Sequence, residues 1–211
     1  MTLVDHDGLA VLTIRRLATE VGVPAMSLYS HFGSKEQLHD LMFDCLVQRL
    51  FPTHGGRTWQ QEFETAGRHA RSVLLAHPHW LPLLTRPVVP TSSLGFYDHL
   101  LRLMSDDGFP REAAIHAFSS AMSFALGFVL TERMMTPAHG VVVPLRRLML
   151  LKEQIPTFPA GAYPHIAASK SAFDAWGFDR VFDLGLRSLI VGIESSFVHS
   201  PTKAKKRRRL P

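Results

Sequence analysis

Cysteine is almost absent from this chain of 211 residues, which contains only Cys45. A single cysteine excludes an intramolecular disulfide framework and, with it, the small disulfide-stapled secreted domains. Cys45 falls on an apolar stripe of a predicted helix, so we expect it to be a buried structural thiol. Residues 1–7 also lack the basic and apolar regions of a signal peptide, so the cytoplasm is the expected compartment.

The body of the chain lacks an excess of positive charge, although the whole chain has a net charge of +5. The first fifty residues hold four Lys or Arg against six Asp or Glu, so global charge gives no support to nucleic-acid binding. We expect residues 201–211 to be a disordered basic tail, which either adds non-specific DNA affinity or serves solubility. Without the six positive charges of the tail, the net charge of the chain is −1. These charges belong to Lys203, Lys205, Lys206, Arg207, Arg208 and Arg209.

The signatures of common enzyme classes are also missing. We find no nucleophile elbow, no phosphate-binding glycine loop and no paired carboxylates at a plausible spacing. The 12 histidines invite a metal hypothesis. However, His77 and His79 are the only tight pair, and the sequence around them has no acidic or thiol cluster. We therefore expect no enzyme, no metal and no cofactor.

Apolar spacing predicts an all-α protein, since no period-2 alternation is bounded by turn residues. Beyond residue 57, helices are predicted over 58–77, 94–104, 110–135, 145–154 and 178–198. Thr58 can cap the first of these, with Gln61 as its capping-box partner. Residues 113–131 carry no charge and are long enough to span a membrane. Their largest apolar residues form a stripe typical of a helix buried by other helices, so we expect no membrane contact. That stripe comprises Ile115, Phe118, Met122, Ala125 and Val129.

Residues 9–50 carry the most specific local pattern. Thr13 can cap a helix over Ile14–Val21, and Gly22 permits the left-handed backbone of a sharp turn. Pro24 begins a second short helix ending near Ser30, and Ser34 can cap a third. Two short helices joined by a glycine-containing turn form a helix-turn-helix. The predicted inner faces are Ile14, Leu17, Ala18 and Val21 in the first helix, and Leu38, Leu41, Met42, Cys45 and Leu46 in the third.

The run from Leu12 to Leu38 resembles the DNA-binding domain of the tetracycline-repressor (TetR) family. The matching segments are Leu-Thr, Arg-Leu-Ala, Gly-Val, Ser-Leu-Tyr-x-His-Phe and Ser-Lys-Glu-x-Leu, in that order. Chain length, helical layout and the final helix also agree with that family. The resemblance implies a helix-turn-helix domain over 1–50 with a short first helix. A helical ligand-binding and dimerisation domain over 57–200 and the tail over 201–211 would follow.

The resemblance also implies roles for individual residues. Residues 24–30 would be the recognition helix in the major groove, with Tyr29, His31 and Lys35 on phosphates. Alternatively, Tyr29 packs between helices and His31 is a solvated turn residue. A cation at a helix N-terminus is unfavourable, so the position of Lys35 indicates that its partner is an anion outside the chain. The predicted DNA-binding residues are Thr13, Arg15, Pro24, Ala25, Met26, Ser27, Tyr29, Ser30, His31 and Lys35.

In that family the later helices form a ligand pocket and a dimer interface. The final predicted helix is apolar almost all round, which favours burial against its own core and a partner, or intrachain packing alone. We expect the dimer interface to include Phe178, Phe182, Gly185, Leu189, Gly192 and Ser196. Residue type and helical position suggest eight candidate pocket residues, although each could instead be an ordinary core residue. They are His77, Trp80, Phe96, His99, His116, Phe124, Phe128 and Trp176.

The resulting hypothesis is a ligand-responsive transcriptional regulator that acts as a repressor. It would bind a palindromic double-stranded operator as a homodimer and be released by a small apolar or aromatic effector. A DNA-binding or architectural protein without an effector is the alternative, and an enzyme of unknown type is a further one. The sequence also leaves activation open in place of repression.

Overall fold

The computed structural model describes residues 2–52, 58–135, 150–151, 153–159 and 161–198. All regular secondary structure in these ranges is helical, which confirms the predicted all-α class. The backbone divides into two compact units, Met1–Phe118 and Ser119–Pro211. The tail over 201–211 and the first half of the helix predicted at 145–154 lie outside the described residues.

In the first unit, the described residues form six α-helices and the start of a seventh. The predicted helix-turn-helix is present as α2 and α3, with α1 before it and α4 after it. Two 3-10 helices, Pro78–Thr85 and Thr91–Ser93, follow α5. The helices are α1 (Thr2–Asp7), α2 (Ile14–Val21), α3 (Ala25–Tyr29), α4 (Lys35–Leu50), α5 (Trp59–Ala76), α6 (Leu94–Asp106) and α7 (Arg111–Met135). Helix α7 continues into the second unit.

Helix starts in the first unit follow the predicted caps. The hydroxyl of Thr13 accepts a hydrogen bond from the backbone N–H of Arg16 at 3.0 Å. Ser34 and Thr58 accept equivalent bonds from residues three positions later, at 3.2 and 3.3 Å. Gly22 ends α2 with φ 75°, in the left-handed region that favours glycine. Local sequence therefore sets the boundaries of α2, α4 and α5.

The inner faces of α2 and α4 differ from the prediction. Val21 is 59% exposed and Leu41 is 51% exposed. Cys45 is also exposed, so the expectation of a buried thiol was wrong. Apolar residues surround much of α4, and packing against α5 and the 3-10 helices decides which of them are buried. The buried residues of α4 are Leu38, Phe43, Leu46, Val47 and Leu50.

Residues 77–93, named the connector here, lie between α5 and α6. The two 3-10 helices of the connector pack against α4, and the first also packs against α1 and α5. Trp80 and Leu83 anchor the connector in the core, with exposures of 2% and 0%. The connector is therefore a packed element of the first unit, although its prolines prevent a regular α-helix.

The described part of the second unit includes the end of α7, a 3-10 helix over Ile155–Thr157, two short α-helices and the last helix. Here α8 is Pro164–Ala168, α9 is Lys170–Asp174 and α10 is Phe178–Val198, the last with the predicted bounds. Small residues of α7 and larger ones of α10 supply this unit's core. Its buried residues are Ala121, Ala125, Val129, Phe182, Leu186 and Ile190.

Helix α7 has the length and composition of a membrane span over Arg111–Arg133. Core helices of soluble proteins pass the same test. The row of buried small residues that continues through Ala121, Ala125 and Val129 is typical of a core helix. Ile115, predicted on the buried stripe, is 52% exposed, because the inward-facing residues near it are Ala114 and Ala117.

Candidate DNA-binding surface and effector-binding body

The candidate recognition helix α3 contains no buried residue. Met26 is 79% exposed and Tyr29 is 44% exposed. Ser27 and Ser30 are exposed beside them, and the Ser30 hydroxyl donates to the Ser27 carbonyl at 2.7 Å. Packing against α2 fixes the position of α3. The helix therefore presents a methionine, a phenol and two hydroxyls to the outside.

The start of α2 places Thr13 and Arg15 on the surface. The hydroxyl of Thr13 uses an oxygen lone pair to cap α2, so its own hydrogen can still be donated to an acceptor such as a phosphate. Arg15 keeps an exposed guanidinium, which suits a phosphate or a guanine edge. Both side chains are therefore suited to the DNA contacts predicted for them.

Arg16, directly after Arg15, is engaged within the chain. Its guanidinium contacts Glu20 at 2.8 Å and Asp7 at 3.3 Å. The hydrogen bond to Glu20 raises the pKa of Arg16, and the hydrogen bond from His6 lowers the pKa of Asp7. Arg16 is therefore a partner of α1, whereas Arg15 faces outward.

Lys35 and His31 flank the turn between α3 and α4. His31 is exposed, and its ring centroid lies 6.4 Å from that of Phe32. The Lys35 ammonium donates to the Ala10 carbonyl at 3.4 Å. That contact uses one of three N–H donors and holds the ammonium beside the segment that leads to Thr13. The structure thus brings the start of α4 next to the segment that precedes α2.

Two of the candidate pocket residues in the first unit hold α1 in place. The Nδ1 atom of His77 and the indole N–H of Trp80 contact the same carboxylate oxygen of Asp5, at 2.9 and 2.7 Å. Phe96 is 2% exposed and stacks on Phe51 with ring centroids 5.1 Å apart. All three residues have structural partners within the chain. The sequence analysis missed the role of Asp5, because no local pattern links it to residues more than seventy positions away.

A buried carboxylate lies beside the fourth candidate, His99. Glu62 on α5 is 0% exposed, and its Oε1 atom lies 3.5 Å from Nε2 of His99 on α6. The sequence carried a signal for this pair, since Glu62 falls at helical spacing within the apolar stripe of Trp59, Phe63 and Ala66. The fifth candidate, His116, is exposed.

The remaining candidates, Phe124, Phe128 and Trp176, belong to an aromatic cluster in the second unit. Phe182 stacks on Phe124 at 5.5 Å and meets Phe128 edge-on at 5.2 Å between ring centroids. Phe178 joins Phe128 at 6.3 Å and Trp176 at 5.0 Å. The three candidates are half-buried, whereas Phe182 is 1% exposed.

The last helix shows which of its residues face its own unit. Phe182 is buried, and a Cβ atom at Gly185 would lie 2.6 Å from the Phe124 ring. Phe178, Leu189 and Gly185 are half-buried, whereas Gly192 and Ser196 are exposed. The largest exposed aliphatic residues of α10 are Leu184 at 65% and Val191 at 59%, neither of which is among the residues predicted at the dimer interface. The sequence placed Phe182 and Gly185 at a dimer interface, but their contacts here are with α7.

Among the residues that the structure describes, no group of three His, Cys, Asp or Glu side chains is arranged to hold a metal ion. His77, half of the tight histidine pair, contacts Asp5. The candidate DNA-binding and pocket residues carry hydroxyls, cationic groups and aromatic rings.

A helix-turn-helix with an exposed recognition helix, followed by a helical body, defines a class of DNA-binding transcriptional regulators. Two family models match this chain: the bacterial regulatory proteins of the tetR family over residues 1–41, and the tetracyclin repressor-like C-terminal domain over residues 51–197. The chain belongs to the TetR family of transcriptional regulators. The family match covers the helical body as well as the helix-turn-helix.

Individual relatives agree with this assignment. An HTH-type transcriptional regulator of Saccharopolyspora erythraea is 27% identical, across 92% of this chain and 80% of its own length. The tetracycline repressor protein class E of Escherichia coli is 28% identical, across 92% of this chain and 87% of its own length. The crystal structure of ActR from Streptomyces coelicolor with actinorhodin shares the fold, with a TM-score of 0.74 at 22% identity over 94% of this chain and 92% of that one.

Proposed function

We propose that this protein is a cytoplasmic, homodimeric repressor that binds a palindromic operator and is released by a small apolar or aromatic effector. The observation that carries the proposal is that α3 buries none of its side chains while its neighbours hold it in place. A helix of that kind adds little to the core, so its residues suit an external partner. In a helix-turn-helix that partner is the major groove of DNA.

The residues of this surface divide into two roles on DNA. Thr13, Tyr29, His31 and Lys35 position the unit on phosphates, and Arg15 contacts a phosphate or a guanine. Within α3, the exposed methyl groups suit thymine methyls, but they supply no bidentate hydrogen bonds. DNA shape and half-site spacing therefore add to specificity. The major-groove residues are Pro24, Ala25, Met26, Ser27 and Ser30.

The last helix supports a homodimer. Leu184 and Val191 lie seven residues apart, about two helical turns, and therefore share a face of α10. Both are more than half exposed, while Phe182 and Leu186 hold the other face in the core. A second copy of α10 would cover this aliphatic line. A symmetric dimer places two recognition helices about 34–36 Å apart, as successive major grooves require.

The aromatic cluster of the second unit supports an apolar or aromatic effector. Phe124, Phe128 and Trp176 are half-buried, so part of each ring remains accessible for contact with a flat ligand. Two relatives are a tetracycline repressor by name and a protein crystallised with actinorhodin, which agrees with an effector of this kind. We propose that the effector stabilises a dimer with the wrong half-site spacing, which lowers operator affinity. We further propose that residues 1–50 form the DNA-binding domain and that residues 57–200 form the effector-binding and dimerisation domain.

The test begins with selection of duplexes from random DNA by the full-length protein, followed by footprinting of the enriched sequence. We expect a palindrome with half-sites about one helical turn apart. A library of aromatic compounds is then screened for release of the labelled duplex. Enrichment without a palindrome would refute the dimeric repressor, and a palindrome that no compound releases would favour a regulator without an effector.

A further inference from the structure

The connector holds the helix that follows the recognition helix. Residues 86 and 92 of the connector make polar contacts with Glu36, Asp40 and Asp44, which lie on successive turns of α4. None of these contacts belongs to the DNA-binding surface described above. These contacts fix residues 86–92 of the connector, named the strap here, along α4 within the first unit.

Arg86 forms the stronger half of the strap. Its Nε and Nη2 atoms donate to Oδ1 of Asp40 at 2.8 and 2.5 Å, and Nη2 also lies 3.3 Å from the Glu36 carbonyl. The side chains of Arg86 and Asp40 are 24% and 34% exposed, so water screens this pair only in part. A planar guanidinium that contacts both a carboxylate and a carbonyl fixes direction as well as distance.

Ser92 forms the second half. Its backbone N–H donates to Oδ1 of Asp44 at 3.0 Å, and its hydroxyl donates to the Asp44 carbonyl at 2.9 Å. Pro87 and Pro90 lie between Arg86 and Ser92 and restrict the backbone there. Two anchors one helical turn apart, joined by a stiff segment, oppose both rotation and tilt of α4.

The position of α4 matters because only a short turn, residues 30–34, separates it from α3. A tilt of α4 therefore moves the recognition helix. We propose that Arg86, assisted by Ser92, is a positioning residue that holds α4, and through it α3, at the spacing that the operator requires. This inference rests on the proposed repressor function and identifies how its DNA-binding geometry is set.

A purely stabilising role explains the contacts less well. A partly exposed ion pair usually adds little to folding stability. The apolar core of α4 is already complete without it, since Leu46 and Leu50 are 0% and 1% exposed. The apolar contacts do not supply a directional restraint on α4, whereas the donation of Nε and Nη2 of Arg86 to Oδ1 of Asp40 supplies one.

The test compares Arg86→Ala with wild-type protein on three probes. The first is the palindromic duplex that wild-type protein selects from random DNA. The second carries one half-site only, and the third has its half-sites moved apart by one base pair. We expect Arg86→Ala to bind the full palindrome about tenfold more weakly, within the usual range of coupling between sites. Half-site affinity should not change, and discrimination against the altered spacing should fall.

The exchanged pair, Asp40→Arg with Arg86→Asp, should recover at least part of the lost affinity. Arg102→Ala is the matched control, because it removes an arginine that pairs with Asp106 at 2.9 Å on α6, away from the strap. It should behave like wild-type protein on all three probes.

Equal loss on full and half-site probes together with a lower melting temperature would show a structural role only and overturn the proposal. Unchanged affinity and spacing preference in Arg86→Ala would overturn it as well. If wild-type protein enriched no palindrome, the repressor function itself would fail, and this inference would fail with it. The two failures are distinguishable, because only the second is seen with wild-type protein alone.

Discussion

The recognition helix α3 and the last helix α10 both leave large apolar side chains exposed, but in different settings. On α3, Met26 and Tyr29 are exposed at 79% and 44%, next to serine hydroxyls, and no residue is buried. On α10, Leu184 and Val191 are exposed at 65% and 59%, while Phe182 on the same helix is 1% exposed.

This difference indicates two kinds of partner. Isolated apolar groups among hydroxyls, with Lys35 close in sequence, suit a polar groove that carries methyl groups and phosphates. A line of aliphatic residues on a long, anchored helix suits another helix of the same kind. Exposure alone would not separate the two surfaces. The two surfaces are distinguished by the polar groups next to their exposed apolar residues and by whether other residues of the same helix are buried.

The largest expected effect follows from breaking the α10 surface. We expect Leu184→Glu combined with Val191→Glu to convert the dimer to a monomer, because two carboxylates per chain would be buried without partners. Operator affinity should fall by at least about 100-fold, since both half-sites must be occupied together. Sedimentation and gel-shift titrations measure the two effects.

Tyr163→Glu is the control for the α10 variant, because it adds a carboxylate at another exposed apolar position of the second unit, 53% exposed. It should remain dimeric and bind DNA as wild-type protein does. A stable dimer of the α10 double variant would show that this line is not the interface.

A smaller effect is expected at the DNA-binding surface. Lys35→Gln should weaken operator binding about tenfold and reduce the slope of log affinity against log salt by about one, because one phosphate contact is lost. The dimer should be unaffected. Lys170→Gln, at an exposed position of α9, is the matched control. An unchanged salt slope for Lys35→Gln would show that Lys35 serves only its contact with Ala10.

The covered face of α10 can be tested through stability. In Gly185→Ala the new methyl would lie 2.6 Å from the Phe124 ring, so the ring must shift within its stack on Phe182. We expect a loss of about 1 kcal/mol, since overpacking outweighs the higher helix propensity of alanine. Chemical unfolding measures it. Gly95→Ala on α6, where nothing lies within 4 Å, should not destabilise the protein. Equal behaviour of both variants would mean that Phe124 moves freely.

The smallest effect concerns pH and His39 on α4. Burial lowers the pKa of His39 below its ordinary value of 6.5, and the positive charges of Lys35 and Arg86 lower this pKa further. The negative charges of Glu36 and Asp40 raise it, but they offset only part of the decrease. The unfolded chain therefore takes up the proton more readily than the folded protein, so stability is lost as the pH falls below 6.5. Between about pH 7.5 and about pH 5.5, the melting temperature of His39→Gln should fall less than that of wild-type protein. Parallel curves would contradict this assignment.

Sequence reasoning predicted features that depend on neighbouring residues. The caps at Thr13, Ser34 and Thr58, the turn at Gly22 and the bounds of α2 and α10 all follow from local backbone chemistry. The run of family-like residues predicted the position of α3, the candidate recognition helix. Each of these features requires contacts over only a few positions, which the sequence states directly.

Features that depend on distant partners were missed. Asp5 was regarded only as an acidic residue, yet it joins α1 to His77 and Trp80. Nothing local to Arg86 indicates Asp40 as its partner. Cys45 was placed on the wrong face, because α4 is apolar in several directions and tertiary packing chooses among them. The candidate DNA-binding and pocket residues remain predictions until the variants are measured.

The absence of buried side chains in α3 also bears on how such a protein can change over generations. Most mutations destabilise, and natural proteins sit close to the stability they need. Replacement of Ala25, Met26 or Ser27 alters what the groove meets while leaving the core intact. After gene duplication, one copy can therefore acquire a new set of target genes through single substitutions that cost little folding stability. A candidate recognition helix that buries no side chain can thus diverge at little cost to the core.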